Sequence, residues 1–176
     1  MIKINMGCGK RYFGSSLKHI DSENYDHIDH NDILDFPYEN IDLIYASHLI
    51  SYFNVDEVCV LLEYWKKKLK SGGVLRLAVP DFKKICELYS RGISLNAFVG
   101  PLYGRMESDN NEIYHKFCYD EQTLTKLLKK LDFRNIRKWD HNKVDHGVYD
   151  DHSQAYIPHM DKENGTLISL NLECEK

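Results

Sequence analysis

Short apolar runs alternate with helical-period segments along almost the whole chain, and few folds tolerate that alternation. Ile2 to Met6, Leu17 to Ile20 and a short stretch around Tyr25 to Asp29 read as strands. The β-branched and aromatic run Ile41 to Ser47 reads as a fourth and buried strand. Asn54-Val55-Asp56-Glu57 has the pattern of a capping box. Val55, Val58, Leu61, Leu62, Trp65 and Leu69 then follow at helical spacing, with Gly72-Gly73 as the helix end. Val74 to Val79 is the fifth strand, stopped by Pro80-Asp81. Phe82, Ile85, Cys86 and Tyr89 mark one side of the next helix. Asp120 to Leu131 is another helix, Asn135 to Trp139 a strand, and Leu167 to Glu173 the last strand. Such an order predicts a mostly parallel α/β sheet covered by helices on both faces, as one domain over 1–176.

The first strand ends in Gly7-Cys8-Gly9, and Asp21 closes the second. At the first strand-to-loop turn of such a sheet the backbone comes closest to a ligand, and glycine leaves room for that approach. An acidic residue at the tip of the second strand can accept two hydrogen bonds from a ribose diol. A nucleoside-containing ligand is therefore expected at the carboxyl edge of the sheet. Tyr12 stands where the dinucleotide fingerprint needs its third glycine, and no triphosphate-binding loop is present. A ribose acceptor without a phosphate cradle points to S-adenosylmethionine.

The chain of 176 residues carries a net charge of −4, which argues against broad attraction to nucleic acid. The cluster Lys66-Lys67-Lys68-Lys70 falls late in a helix, where cations complement the dipole. No apolar run reaches membrane-spanning length, and Met1-Ile2-Lys3 leads into a strand rather than a signal peptide. The five cysteines are scattered and contain no Cys-x-x-Cys, which fits reduced thiols in the cytoplasm.

Five segments in order carry a resemblance. They are Asn5-Met6-Gly7-Cys8-Gly9, His19-Ile20-Asp21, Asn31-Asp32-Ile33, the run Ile41 to Leu49, and Leu69-Lys70-Ser71-Gly72-Gly73-Val74-Leu75. His115-Lys116-Phe117 and Leu131-Asp132-Phe133 extend it over nearly the whole chain. The chain resembles the class I S-adenosylmethionine-dependent methyltransferases, in particular a small bacterial branch known as type 11. The resemblance implies a Rossmann-like sheet of seven strands, the last antiparallel and inserted between the fifth and sixth. It implies that Asn5, Gly7, Cys8 and Gly9 border the methionine part of the cofactor. Asp21 would then hold the ribose, Asp32 and the Ile33 backbone would face adenine, and Ser47 and His48 would border the methyl. It places His115 on the substrate side as the candidate base.

The departures are Asn5 before the first glycine, Arg11 at the third-glycine position, and Ile50-Ser51-Tyr52 after His48. Residues 10–20 are too few for a strand plus a full helix, so the first crossover is abbreviated and the cofactor site is expected to be more open there. The stretch 140–164 is rich in His, Asp and Tyr and reads as a substrate lid, suited to a hydroxylated acceptor such as a sugar. Two other readings stand beside this one: a catalytically inactive binding module on the same fold, and a metal site built from His141, His146 and His152 with neighbouring carboxylates.

Overall fold

The sheet is built on strands whose two faces differ in chemistry, and that difference decides what covers each face. The structure is a computed structural model and describes residues 1–22, 25–30, 32–108 and 111–176. β1 (Lys3–Met6), β2 (Lys18–Ile20), β3 (Ile41–Ser47) and β4 (Leu69–Pro80) run parallel. β7 (Arg134–Lys138) and β10 (Ser169–Glu175) complete a sheet of order β2-β1-β3-β4-β10-β7. β10 is antiparallel to both of its neighbours, so the inserted last strand is as expected.

The strand count is not. Among the described residues the sheet has six strands rather than seven. Tyr25 to Asp29 does not pair as a strand; only the bridge Ile20–His30 remains at that edge. There the Asp29 carboxylate accepts the His19 N–H at 2.8 Å, while the Asp29 N–H donates back to the His19 carbonyl. A side chain thus takes the place of a ladder bond and ends the sheet.

One face is purely apolar. Ile4, Ile44, Ala46, Leu75, Leu77, Leu170 and Leu172 point to it at the alternation a strand dictates. α1 (Val55–Lys68) covers it with Val58, Leu62 and Trp65, and α4 (Glu121–Lys130) with Leu124 and Leu128. The Asn54–Glu57 capping box closes the start of α1 as its sequence predicts, with reciprocal bonds of 2.9 and 2.8 Å. Gly72-Gly73 does not end this helix. The chain passes from Lys68 straight into β4, and the glycines lie in a bulge against β3.

The opposite face carries Asn5, Tyr45, Arg76, Asn171 and Glu173, all on strands and mostly buried. A helix with an apolar stripe could not satisfy these groups. It is covered instead by the loop of residues 10–17 and by 139–154, the latter folding largely as 3-10 turns and not as an α-helix. Tyr45 donates to Asp151, Asn171 Nδ2 donates to the Ser153 carbonyl at 2.9 Å, and Arg76 donates to His146 Nε2 at 3.1 Å. Trp139 packs edge-on to Tyr45 and donates its indole N–H to the Leu77 carbonyl at 3.0 Å. The apolar cluster on this face holds no residue of an α-helix, and much of the 140–164 stretch serves as its cover.

Two further helices, α2 (Phe82–Ser90) and α3 (Asn96–Tyr103), follow β4. α2 buries Ile85 and Leu88, whereas Phe82, Cys86 and Tyr89 are exposed, so its core face is rotated from the one its sequence suggests. Phe98 of α3 joins Ile85 and Leu88 in a small cluster with Ile157 and Ile168. Two short ribbons, β5–β6 (Met106–Ser108, Asn111–Ile113) and β8–β9 (Tyr156–Ile157, Thr166–Leu167), complete the chain. All five cysteines are free.

Candidate active site

At the carboxyl end of β1 the chain turns through Gly7 and Gly9, both at positive φ (65° and 56°). Gly7 donates its N–H to the Ile20 carbonyl at 2.8 Å, locking the turn to β2. A Cβ on Gly7 would lie 2.8 Å from Leu49 Cδ1, so Leu49 would have to shift to admit a side chain, while the positive φ itself favours glycine there. Gly9 donates its N–H to Asp21 Oδ2 at 2.8 Å, and His27 donates to the Gly9 carbonyl at 3.0 Å. The glycine loop and the acidic residue are thereby brought together at the sheet edge. Cys8 between them is buried, and burial with the nearby Asp21 pushes its thiol up to about 12, so it stays protonated.

His19 fastens the loop from below. Its Nε2 accepts the Phe13 N–H at 2.9 Å while Nδ1 faces Asp29 at 3.4 Å, which assigns the proton to Nδ1. Burial lowers its pKa, consistent with a neutral ring.

A small hollow opens beside the loop, lined by Asn5, Gly7, Cys8, Arg11, Phe13, Ser47, Asp151 and His152. Four predicted residues (Asn5, Gly7, Cys8 and Ser47) therefore meet. Arg11, Phe13, Asp151 and His152 are lining residues that the sequence reading did not place there. The signal for two of them was present, because Arg11 breaks the glycine pattern and Asp151-His152 lies in the polar 140–164 stretch. Asn5 is 1% exposed, and its Nδ2 has no hydrogen-bond partner among the described residues. Such an atom is costly unless something binds it.

The hollow measures about 20 Å³. That is room for a water molecule, against several hundred Å³ for a small-molecule site. The site is thus closed rather than more open, because Asp151 and His152 stand where the short first crossover leaves space. The donor set suits a nucleoside ligand; its volume does so only once residues 151–152 shift.

Other predicted residues lie apart from the hollow. Asp32 accepts the Leu34 N–H at 2.9 Å and caps a 3-10 turn, and Ile33 is buried in the main core; Asn31 lies outside the described residues. His48 sits just behind the hollow at φ 53°, its ring stacked on His152 at 5.2 Å and its Nε2 3.3 Å from Ser169 Oγ. Burial holds it well below the usual histidine range. His115 is farther out, 6.5 Å from His48 ring to ring and 4.6 Å from Tyr52. Its Nδ1 donates to the Pro101 carbonyl at 3.1 Å, and its Nε2 is enclosed beside Gly104 without a partner. Burial lowers its pKa. Asp81 caps α2 through the Lys84 N–H.

The histidines of the alternative metal reading go separate ways. His141 faces the Tyr156 hydroxyl, His146 faces Arg76, and His152 stacks on His48. Among the described residues no three His, Cys, Asp or Glu side chains are grouped to hold a metal ion. No helix among them is long and apolar enough to cross a membrane.

No family model matches the sequence. A demethylmenaquinone methyltransferase from Staphylococcus haemolyticus is 25% identical over 123 residues, covering 63% of this chain and 49% of that protein. The chain thus spans about half the length of the curated relative it matches. A methyltransferase structure from Archaeoglobus fulgidus superposes with a TM-score of 0.57, at 15% identity over 99% of this chain and 86% of its own. The fold is that of the S-adenosylmethionine-dependent methyltransferases. A human N-acetylserotonin methyltransferase, solved with S-adenosylmethionine, aligns to it with a TM-score of 0.54 at 13% identity, over 99% of this chain and 47% of its own. In this chain a glycine loop follows β1, an acidic residue follows β2, and the first crossover between them holds no helix.

Proposed function

We propose that the protein transfers a methyl group from S-adenosylmethionine to a small acceptor. The observation that carries this reading is the bond from the Gly9 N–H to Asp21, which fixes the glycine loop and a carboxylate side by side at the sheet edge. The unpartnered Asn5 Nδ2 in the adjoining hollow supports it. When bound, the cofactor supplies an electrophilic methyl: the acceptor lone pair forms the new bond, the sulfur keeps the old bonding pair, and S-adenosylhomocysteine leaves.

The protein's own part is to hold and to exclude water. Asp21 accepts from the ribose hydroxyls, Asn5 donates through Nδ2, and the neutral, buried His48 forms a dry wall at the end of β3. His115 acts here as packing rather than as a base, because its free nitrogen is enclosed beside Gly104 and its other nitrogen is committed to Pro101. An acceptor that attacks as a neutral nucleophile needs no base. Binding requires residues 151–152 to move aside.

Calorimetric titration with S-adenosylhomocysteine tests the reading. Saturable binding at one site is expected, with about 2.7 kcal/mol of added stability at a hundredfold excess over the dissociation constant. Absence of binding at millimolar ligand, with the fold intact, removes the methyltransferase reading and leaves a binding module of another kind.

A further inference from the structure

Arg11 lines the hollow as a cation that the protein itself does not neutralise. Its backbone N–H donates to the Cys8 carbonyl at 3.2 Å, and the Phe13 N–H two positions on donates to His19 at 2.9 Å. The loop is therefore fixed on both sides of a long, exposed side chain. Where a Gly-x-Gly loop opens a helix, a third glycine lets helix and strand pack closely. No helix forms over residues 10–17, so that demand is absent and position 11 is free to carry a charge.

The groups around the guanidinium define what it can hold. Among the described residues it pairs with no carboxylate. Asp151 lines the same hollow, but one of its oxygens accepts the Tyr45 hydroxyl and the other the Ser153 N–H. Asp21 is turned to the Gly9 N–H. From β1 the hollow receives Asn5, which is 1% exposed and whose Nδ2 has no partner among the described residues. A charged donor and a buried neutral donor thus face one space, with the only carboxylate that lines it already engaged. Such a pair suits a small anion, and a carboxylate best, because a guanidinium meets its two oxygens with two parallel N–H groups. The Arg11 charge is felt in that space: burial lowers the pKa of His48 and of His152, and Arg11 adds to both shifts.

We propose that Arg11 is a specificity-determining residue, which with Asn5 Nδ2 holds the carboxylate of the cofactor's amino-acid tail. The proposal rests on the methyltransferase reading and gives Arg11 a part that this reading leaves open. S-adenosylmethionine has one anionic group, and it lies at the end of the molecule away from adenine. With the ribose on Asp21, the tail runs along Gly7-Cys8-Gly9 to the hollow that Arg11 and Asn5 line. The protein then selects adenosyl thioethers that carry a free carboxylate.

The test is calorimetric titration of the full chain with S-adenosylhomocysteine and with its decarboxylated analogue, which keeps adenosine, thioether and amine. Wild type is expected to bind S-adenosylhomocysteine about ten- to a hundredfold more tightly than the analogue. Arg11→Gln is expected to remove most of that preference by weakening S-adenosylhomocysteine while leaving the analogue unchanged. Arg11→Lys keeps the charge without the fork and is expected to retain part of the preference. Because the Arg11 side chain is exposed, both variants should melt as wild type does. The assignment is overturned if wild type binds the analogue as tightly as S-adenosylhomocysteine, or if Arg11→Gln keeps the wild-type preference. It is also overturned if Arg11→Gln weakens both ligands equally, since Arg11 would then shape the loop rather than read the carboxylate. If wild type binds neither ligand, the methyltransferase reading falls and this proposal with it.

Discussion

Asp21 accepts the backbone N–H of Gly9 at 2.8 Å, so the acidic tip of β2 is tied directly to the glycine loop that follows β1. The bond gives Asp21 two tasks, shaping the loop and receiving the ribose. Asp21→Ala removes a charged acceptor worth about 1.5–3 kcal/mol, which corresponds to about ten- to a hundredfold weaker S-adenosylhomocysteine binding. Calorimetry on the variant decides the matter; an unchanged dissociation constant takes Asp21 out of the site.

The Tyr45 hydroxyl is the anchor that holds Asp151 against the sheet, and Asp151 with His152 narrows the hollow. Tyr45→Phe leaves a buried carboxylate short of a donor, for a loss of about 1–3 kcal/mol. The melting temperature should fall by roughly 2–4 °C for each kcal/mol lost. The same change loosens the cover, so S-adenosylhomocysteine is expected to associate faster in stopped-flow mixing. A slower or equal association rate means that residues 151–152 do not gate entry.

Stability should decline as pH drops below neutrality. Burial, reinforced by Arg76, depresses His146 to about 4, whereas an unfolded histidine takes its proton near 6.5. Between these values the unfolded chain binds more protons than the folded one, so the stabilisation is complete above about pH 6.5 and is lost as pH falls toward 4. His146 alone accounts for about 3 kcal/mol over that window. His19, His48, His141 and His152 shift in the same direction through burial. Urea unfolding at pH 7.5, 6 and 5 measures the slope, and His146→Gln should flatten it.

Gly104 ends α3 at φ 53°, and a Cβ there would collide with the His115 imidazole. Gly104→Ala is expected to cost about 1–2 kcal/mol for the left-handed backbone and a further 1–3 kcal/mol for the collision. Combining it with His115→Ala removes the collision but not the backbone term, so the two changes should be non-additive in a double-mutant cycle. Additive losses would show that the two residues do not touch in solution.

The parts of this protein legible in its sequence are those governed by neighbours along the chain. The capping box at Asn54 and Glu57, the glycine turn after β1 and the missing helix in residues 10–17 each follow from local geometry. The alternation of Ile4, Ile44, Ala46, Leu75 and Leu77 likewise fixed which strand face meets α1 and α4. The polar face was another matter. Its cover depends on Tyr45 meeting Asp151 and Arg76 meeting His146, pairs separated by 106 and 70 positions. Hydrophobic periodicity carries no record of such partners, because a buried polar group is stable only where a specific distant group completes it. A lid and a metal cluster could therefore both be read from the 140–164 stretch, and only the tertiary structure made its residues 140–154 the second layer of the sheet.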